Sequence, residues 1–275
     1  MNKIECISYA DFCSKYSVPD IDLVDLGLFK IEDLSSLRQL AGYLTGFKKL
    51  RNFLIHLPIY LKNFGFFSRN INKSVGLLLR DLFIPTDITN IPLNKLYPIS
   101  DYNMKVNIIA SFNPKTILEI GTYFGWGAAS IKMALPNSKV YTMNPEINSL
   151  ANNPINKDRI GEVFRIREIE VNQIWADSTK FDYQKLPNID AAYIDGNHDY
   201  DYVYSDLSKI SKIVSKVIVL DDYIPNAKSP RGGVRSWGPW NQTVVSAVDD
   251  FLDENPEIFQ SCYWIEDSPI AVLIK

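Results

Sequence analysis

Leu118-Glu119-Ile120-Gly121-Thr122-Tyr123-Phe124-Gly125-Trp126-Gly127, residues 118–127, decides the fold. A β-branched, apolar run (Thr116–Ile120) stops at a glycine, two more glycines follow within six residues, and a stretch of helical period begins at Trp126. Glycine at the carboxyl end of a strand lets the backbone turn sharply and lets a ligand approach it closely. The plain alternative is a tight strand-to-helix turn that binds nothing.

Outward from this turn the same alternation continues. Strands are predicted over Lys139–Met143, Gln173–Ala176, Asp190–Ile194 and Lys216–Leu220, and helices over Trp126–Leu135, Lys157–Arg167 and Tyr202–Val214. Strand and helix in alternation at these lengths imply parallel crossovers. A last helix, Thr243–Leu252, precedes two strand-like runs, Ser261–Ile265 and Ile270–Ile274, joined by the polar link Glu266-Asp267-Ser268-Pro269, which fits an antiparallel hairpin. The predicted fold class is therefore α/β. It is a Rossmann-like, doubly wound, seven-stranded sheet with five parallel strands and a C-terminal antiparallel hairpin, filling residues 101–275. Residues 1–100 read differently, with irregular apolar spacing, short helices over 30–83 and the connector prolines Pro85, Pro92 and Pro98. They are expected to form a mainly helical appendage that covers the substrate or makes an oligomer interface.

The spacing G-x-x-x-G-x-G departs from the dinucleotide fingerprint G-x-G-x-x-G. It matches the turn of short-chain dehydrogenases, but no tyrosine here has a lysine four positions on. Glu119 argues further against a pyrophosphate, which a carboxylate would repel. It suits a ligand with a positive amino group and no phosphate, such as S-adenosylmethionine.

ILEIGTYFGWGAAS (117–130) resembles motif I of the class I S-adenosylmethionine-dependent methyltransferases, and residues 101–275 span that family's catalytic domain. VYTMNPE (140–146) stands where the second strand of that fold delivers ribose-binding groups, and WADSTKFD (175–182) resembles the adenine-contacting segment. AAYIDGNHDYDYVYSDL (191–207) is similar to a signature of the small-molecule O-methyltransferase branch. The resemblance implies cofactor contacts from Glu119, Gly121, Thr122, Tyr123, Gly125, Asn144, Asp177, Ser178 and Asp195. It also marks a departure: Asn144 replaces the acid that commonly bonds the ribose hydroxyls, with Thr142 and Glu146 as the other candidates.

Asp195 ends the fourth predicted strand of the catalytic domain and Asp221-Asp222 the fifth. Neighbouring strand ends share the ligand crevice of a doubly wound sheet, so three carboxylates there would repel one another unless a cation joined them. Oxygen ligands suit Mg²⁺, Ca²⁺ or Mn²⁺ better than zinc. The alternative is that Asp221 or Asp222 serves only the turn Asp222-Tyr223-Ile224-Pro225. The pairing of IDG with LDDY resembles the metal site of macrolide-sugar and catechol-type O-methyltransferases, which implies Mg²⁺ or Mn²⁺ on Asp195, Asp221 and Asp222. His198, three positions after Asp195, is the candidate general base, because an imidazole titrates near neutrality. The resemblance thus implies methyl transfer to a hydroxyl of a small molecule, a sugar or another secondary-metabolite intermediate, with Asp195 and His198 catalytic. A non-catalytic binding module on the same fold and a cephalosporin-hydroxylase-like enzyme are the other readings.

Composition bounds the rest. Only two histidines (His56, His198) and three cysteines (Cys6, Cys13, Cys262) occur, too few and too scattered for a zinc or disulfide framework. No leader or spanning segment is read, so the expected location is cytoplasmic. A net charge of −3 disfavours nucleic acid as a partner. Residues 34–80 nevertheless hold eight basic and no acidic side chains, which leaves a membrane surface or an acidic carrier as a partner behind the favoured homo-oligomer interface. The loop 227–240, with Arg231, Arg235, Trp237 and Trp240, is the expected acceptor wall.

Overall fold

The computed structural model describes residues 4–28, 99–146, 157–225 and 240–275. The basic stretch 34–80 and the acceptor-wall loop, apart from its last residue, lie outside the described residues.

The chain divides into two compact units, one of residues 1–21, 104–229 and 237–275 and the other of 22–103 and 230–236. In the second, residues 22–28 form a turn in which the Leu23 amide donates to Asn103 Oδ1 (3.0 Å) and the Leu28 amide to the Leu23 carbonyl (3.0 Å).

The first unit is built on a sheet of eight strands in the order β1-β7-β8-β6-β5-β2-β3-β4. Its strands are β1 (Glu5–Ile7), β2 (Thr116–Ile120), β3 (Lys139–Asn144), β4 (Asn172–Trp175), β5 (Ile189–Ile194), β6 (Val214–Leu220), β7 (Ser261–Ile265) and β8 (Ala271–Ile274). The described helices are α1 (Tyr9–Tyr16), α2 (Ile99–Ser111), α3 (Trp126–Ala134), α4 (Glu162–Ile166), α5 (Tyr200–Ile210) and α6 (Trp240–Glu254). The five strands β2 to β6 pair in parallel, and β8 runs antiparallel to both β6 and β7. The predicted doubly wound sheet and terminal hairpin are therefore present.

The eighth strand is the addition. Glu5-Cys6-Ile7 pairs parallel to β7, with Glu5 opposite Tyr263. Three residues carry no readable alternation, and this strand at the sheet edge is partly exposed, so the sequence pattern had no signal there. What anchors it follows in the chain: Ser8 caps α1 by accepting the Asp11 amide (3.1 Å), and Phe12, fully buried, meets the Tyr263 ring edge-on at 5.8 Å.

Central strands read as continuous apolar runs because both faces are covered. Leu118, Ile194, Ile218 and Leu220 join Leu207 of α5 and Phe251 of α6 in one core cluster. The helix predicted over Lys157–Arg167 is broken in two. Gly161 adopts φ +72°, and a Cβ there would fall 2.2 Å from the Phe164 ring, so a turn at Lys157–Arg159 precedes the short α4. The break has a use. The Gly161 and Val163 amides donate to the Tyr123 and Phe124 carbonyls (2.8 and 3.0 Å), tying this segment to the glycine turn.

Strand ends are aligned by a short series of bonds. The Gly121 amide reaches the Met143 carbonyl (2.9 Å), the Asp195 amide that of Ile120 (2.9 Å), and the Asp221 amide that of Ile194 (3.0 Å). The chain leaves β2 toward β3 on one side and reaches β5 and β6 on the other. The switch in strand order thus falls between β2 and β5, where open α/β sheets bind their ligands.

Candidate active site

Gly121 is the hinge between the two halves of this crevice. Its φ is +104°, and a Cβ would stand 1.9 Å from the Asp195 carbonyl oxygen, so no side chain is compatible with the closeness of the β2 and β5 ends.

On the β3 side the polar groups are engaged with one another. Glu119 is almost fully buried, with its carboxylate under the start of α3. A Cβ at Gly127 would lie 2.0 Å from Glu119 Oε1. The Thr142 hydroxyl donates to Glu119 Oε2, and the Ala128 amide is a second donor. Burial dominates these donors, and Asp195 adds repulsion, so the carboxyl is pushed up from 4.5 to about 8. The Thr122 and Thr142 hydroxyls lie 2.7 Å apart, and the Gln173 amide donates to Thr122 at 3.2 Å. Asn144, buried at the end of β3, accepts the Tyr123 amide (3.3 Å) and donates to the Pro145 carbonyl (2.9 Å). Tyr123 itself is exposed, at φ +45°, with its ring edge-on to Phe124.

Asp177 and Ser178 follow β4. Asp177 accepts the Thr179 amide (2.9 Å) and hydroxyl (2.7 Å), with Lys180 at 3.2 Å. Burial works against its charge, yet these partners hold it below the ordinary carboxylate range. Ser178 bonds to Asp206 of α5, whose burial raises its carboxyl to about 6.

The β5–β6 side is different. Asp195, His198 and Asp222 are all half-buried, and one ligand atom from each lies within 4.8 Å of the others. His198 Nε2 is 3.5 Å from Asp195 Oδ1 and 3.4 Å from Asp222 Oδ2, and it is buried without a well-formed hydrogen bond. Burial alone would lower the imidazole, but the facing carboxylates outweigh it and raise it from 6.5 to about 9. The Asp195 carboxyl stays below its ordinary range: burial opposes its charge, and His198 and Lys105 overcome that. Asp222 sits at φ +59°, a left-handed conformation that Asp tolerates better than most residues. The turn around it is fixed by the Tyr223 amide on the Pro269 carbonyl (2.9 Å) and the Tyr223 hydroxyl on Asp249 (2.8 Å). Thr243 of α6 donates to the His198 carbonyl at 2.6 Å. Two carboxylate oxygens and the imidazole nitrogen they flank form a donor set that suits a divalent cation.

Asp221, which sequence reasoning groups with Asp195 and Asp222, is turned elsewhere. It is buried, and its Oδ2 accepts Lys105 Nζ at 2.5 Å and the Tyr193 hydroxyl at 3.2 Å. The same Tyr193 hydroxyl reaches Asp195 Oδ2 at 2.9 Å, and Lys105 reaches Tyr193 at 3.1 Å. Neither Lys105 nor Tyr193 stood out in the sequence. The available signal was one lysine next to Val106, Ile108 and Ile109, at a position α2 buries.

A glycine turn thus stands at the strand-order switch of an α/β sheet, with a carboxylate–imidazole cluster beside it. Residues 118–223 match a family described as a methyltransferase domain. No curated protein matches it in sequence. Among solved structures it is similar to the S-adenosylhomocysteine-bound methyltransferase PaMTH1 of Podospora anserina. They share 19% identity over 76% of this chain and 97% of that one, with a TM-score of 0.48. An O-methyltransferase from Bacillus cereus, also bound to S-adenosylhomocysteine, is 15% identical over 74% and 97% of the two chains, at a TM-score of 0.47. The O-methyltransferase NovP is 12% identical over 64% and 78%, again at 0.47.

Proposed function

We propose that the chain transfers the methyl group of S-adenosylmethionine to a hydroxyl of a small molecule, with a divalent cation on Asp195, His198 and Asp222. The observation that carries this reading is the placement of that cluster across Gly121 from the Tyr123–Asn144 edge, at the strand-order switch.

The glycine turn and Asn144 hold the cofactor, with Asp177 and Ser178 nearby at the end of β4. Glu119, buried beneath, accepts the Ala128 amide at the start of α3. A divalent cation on Asp195, His198 and Asp222 would supply positive charge at the acceptor oxygen and lower its pKa. An imidazole among the ligands favours Mn²⁺ over Mg²⁺. The acceptor hydroxyl, made more acidic, would lose its proton to water, and its oxygen would take the methyl as the sulfur–methyl bond breaks to leave S-adenosylhomocysteine; in-line positioning by Asp195 and Asp222 supplies much of the acceleration.

A second reading has its own observation. With carboxylates at 3.5 and 3.4 Å, His198 Nε2 is a strong base that could take the hydroxyl proton without a metal. The two part on one assay. Methyl-labelled S-adenosylmethionine is offered with a panel of sugars and catechols, in Mn²⁺ or in EDTA. Transfer that EDTA abolishes supports the cation. Transfer indifferent to EDTA, rising with pH toward 9, supports His198 as base. Absence of transfer to every acceptor, together with absence of S-adenosylhomocysteine binding, contradicts both.

A further inference from the structure

Of the carboxylates at the β5 and β6 ends, Asp221 meets a cation that the protein supplies itself. Lys105 and Asp221 are both buried and 2.5 Å apart, so the charge of Asp221 is met inside the protein. Tyr193 links this pair to the open cluster, donating toward Asp221 Oδ2 (3.2 Å) and Asp195 Oδ2 (2.9 Å). One hydroxyl carries one proton and can fully serve only one of those oxygens at a time. With Lys105 already on Asp221, that proton goes to Asp195. Asp195 Oδ2 is thereby held on the protein side while Oδ1 faces His198.

We propose that Lys105 is a positioning residue: with Tyr193 it reserves Asp221 for the protein interior and aims Asp195, so that, among the described residues, Asp195, His198 and Asp222 form the cluster that faces the crevice. This rests on the cation reading above. Groups behind the ligands of a metal commonly set its affinity, and their loss costs roughly 10–100-fold.

The test measures Mn²⁺ binding by calorimetry, and melting temperature, on the full chain without acceptor. Lys105→Met leaves Asp221 buried and uncompensated, so melting is expected to fall by roughly 10 °C and Mn²⁺ affinity by at least about tenfold. Lys105→Met/Asp221→Asn removes both charges, and melting should recover most of that loss. Because Asp221 lies outside the cation set, this double variant should still bind Mn²⁺, whereas Asp222→Asn should not. Tyr193→Phe, with the Lys105–Asp221 pair intact, should weaken Mn²⁺ about tenfold with little change in melting.

A double variant that recovers stability yet binds no Mn²⁺, while the wild type binds it, would make Asp221 a ligand and overturn the inference alone. A wild type that binds no Mn²⁺ overturns the cation reading and this inference together. A Lys105→Met chain with unchanged melting and affinity overturns the positioning role.

Discussion

The two sides of the crevice are built from the same kinds of residue and treat them in opposite ways. On the β3 side, Glu119, Thr122, Thr142 and Asn144 are buried and bonded to each other or to the backbone. On the β5–β6 side, Asp195, His198 and Asp222 are half-buried, with two carboxylates facing one imidazole nitrogen at 3.5 and 3.4 Å. The first arrangement satisfies its polar groups within the protein. The second gathers two carboxylates around one imidazole nitrogen, a perturbed cluster of the kind that functional sites use.

The contrast predicts a graded series of effects. The largest belongs to the open cluster: Asp195→Asn/Asp222→Asn should reduce methyl transfer by about 100-fold or more in a steady-state assay, with the fold retained by circular dichroism. Gly121→Ala comes next, because its Cβ would enter the Asp195 carbonyl at 1.9 Å. A loss of about 3 kcal/mol or more in denaturant unfolding is expected, and it should disturb both sides at once.

A pH experiment separates the sides further. Folding holds Glu119 neutral by raising its pKa from 4.5 to about 8. Its stabilising contribution is therefore complete below 4.5 and is lost as pH rises through about 8. Glu119→Gln should flatten the stability profile across that window and be the more stable protein at its alkaline end. On the other side, His198 carries a pKa raised to about 9, so its contribution is complete below 6.5 and is lost as pH passes 9. In metal-free protein, NMR titration of His198 should show this value fall in Asp222→Asn. The smallest effect belongs to the exposed Lys180 beside Asp177: Lys180→Ala should cost no more than about 1 kcal/mol and leave cofactor affinity within a few-fold.

Much of this architecture was legible in the sequence because its signals are local. The run Thr116–Ile120 ending at Gly121 gave the first strand of the catalytic domain to the residue, and Glu266–Pro269 marked the hairpin. The strand Glu5–Ile7 was not legible, since three edge residues have no period and pair with a segment more than 250 positions away. The helix break at Gly161 was missed for a related reason: the Phe164 ring that requires it is a tertiary fact. In the site, Asp195, His198 and Asp222 were each identifiable as polar groups at strand ends. The sorting of Asp221 away from them was not, because it depends on Lys105, which folding brings from 116 positions earlier.

The most direct test of the account is a calorimetric titration of the purified chain with S-adenosylhomocysteine, then with Mn²⁺, repeated on Asp195→Asn/Asp222→Asn. Saturable S-adenosylhomocysteine binding is expected in both proteins, with a separate Mn²⁺ site that only the wild type retains. Failure of the wild type to bind S-adenosylhomocysteine, with or without Mn²⁺, would contradict the account.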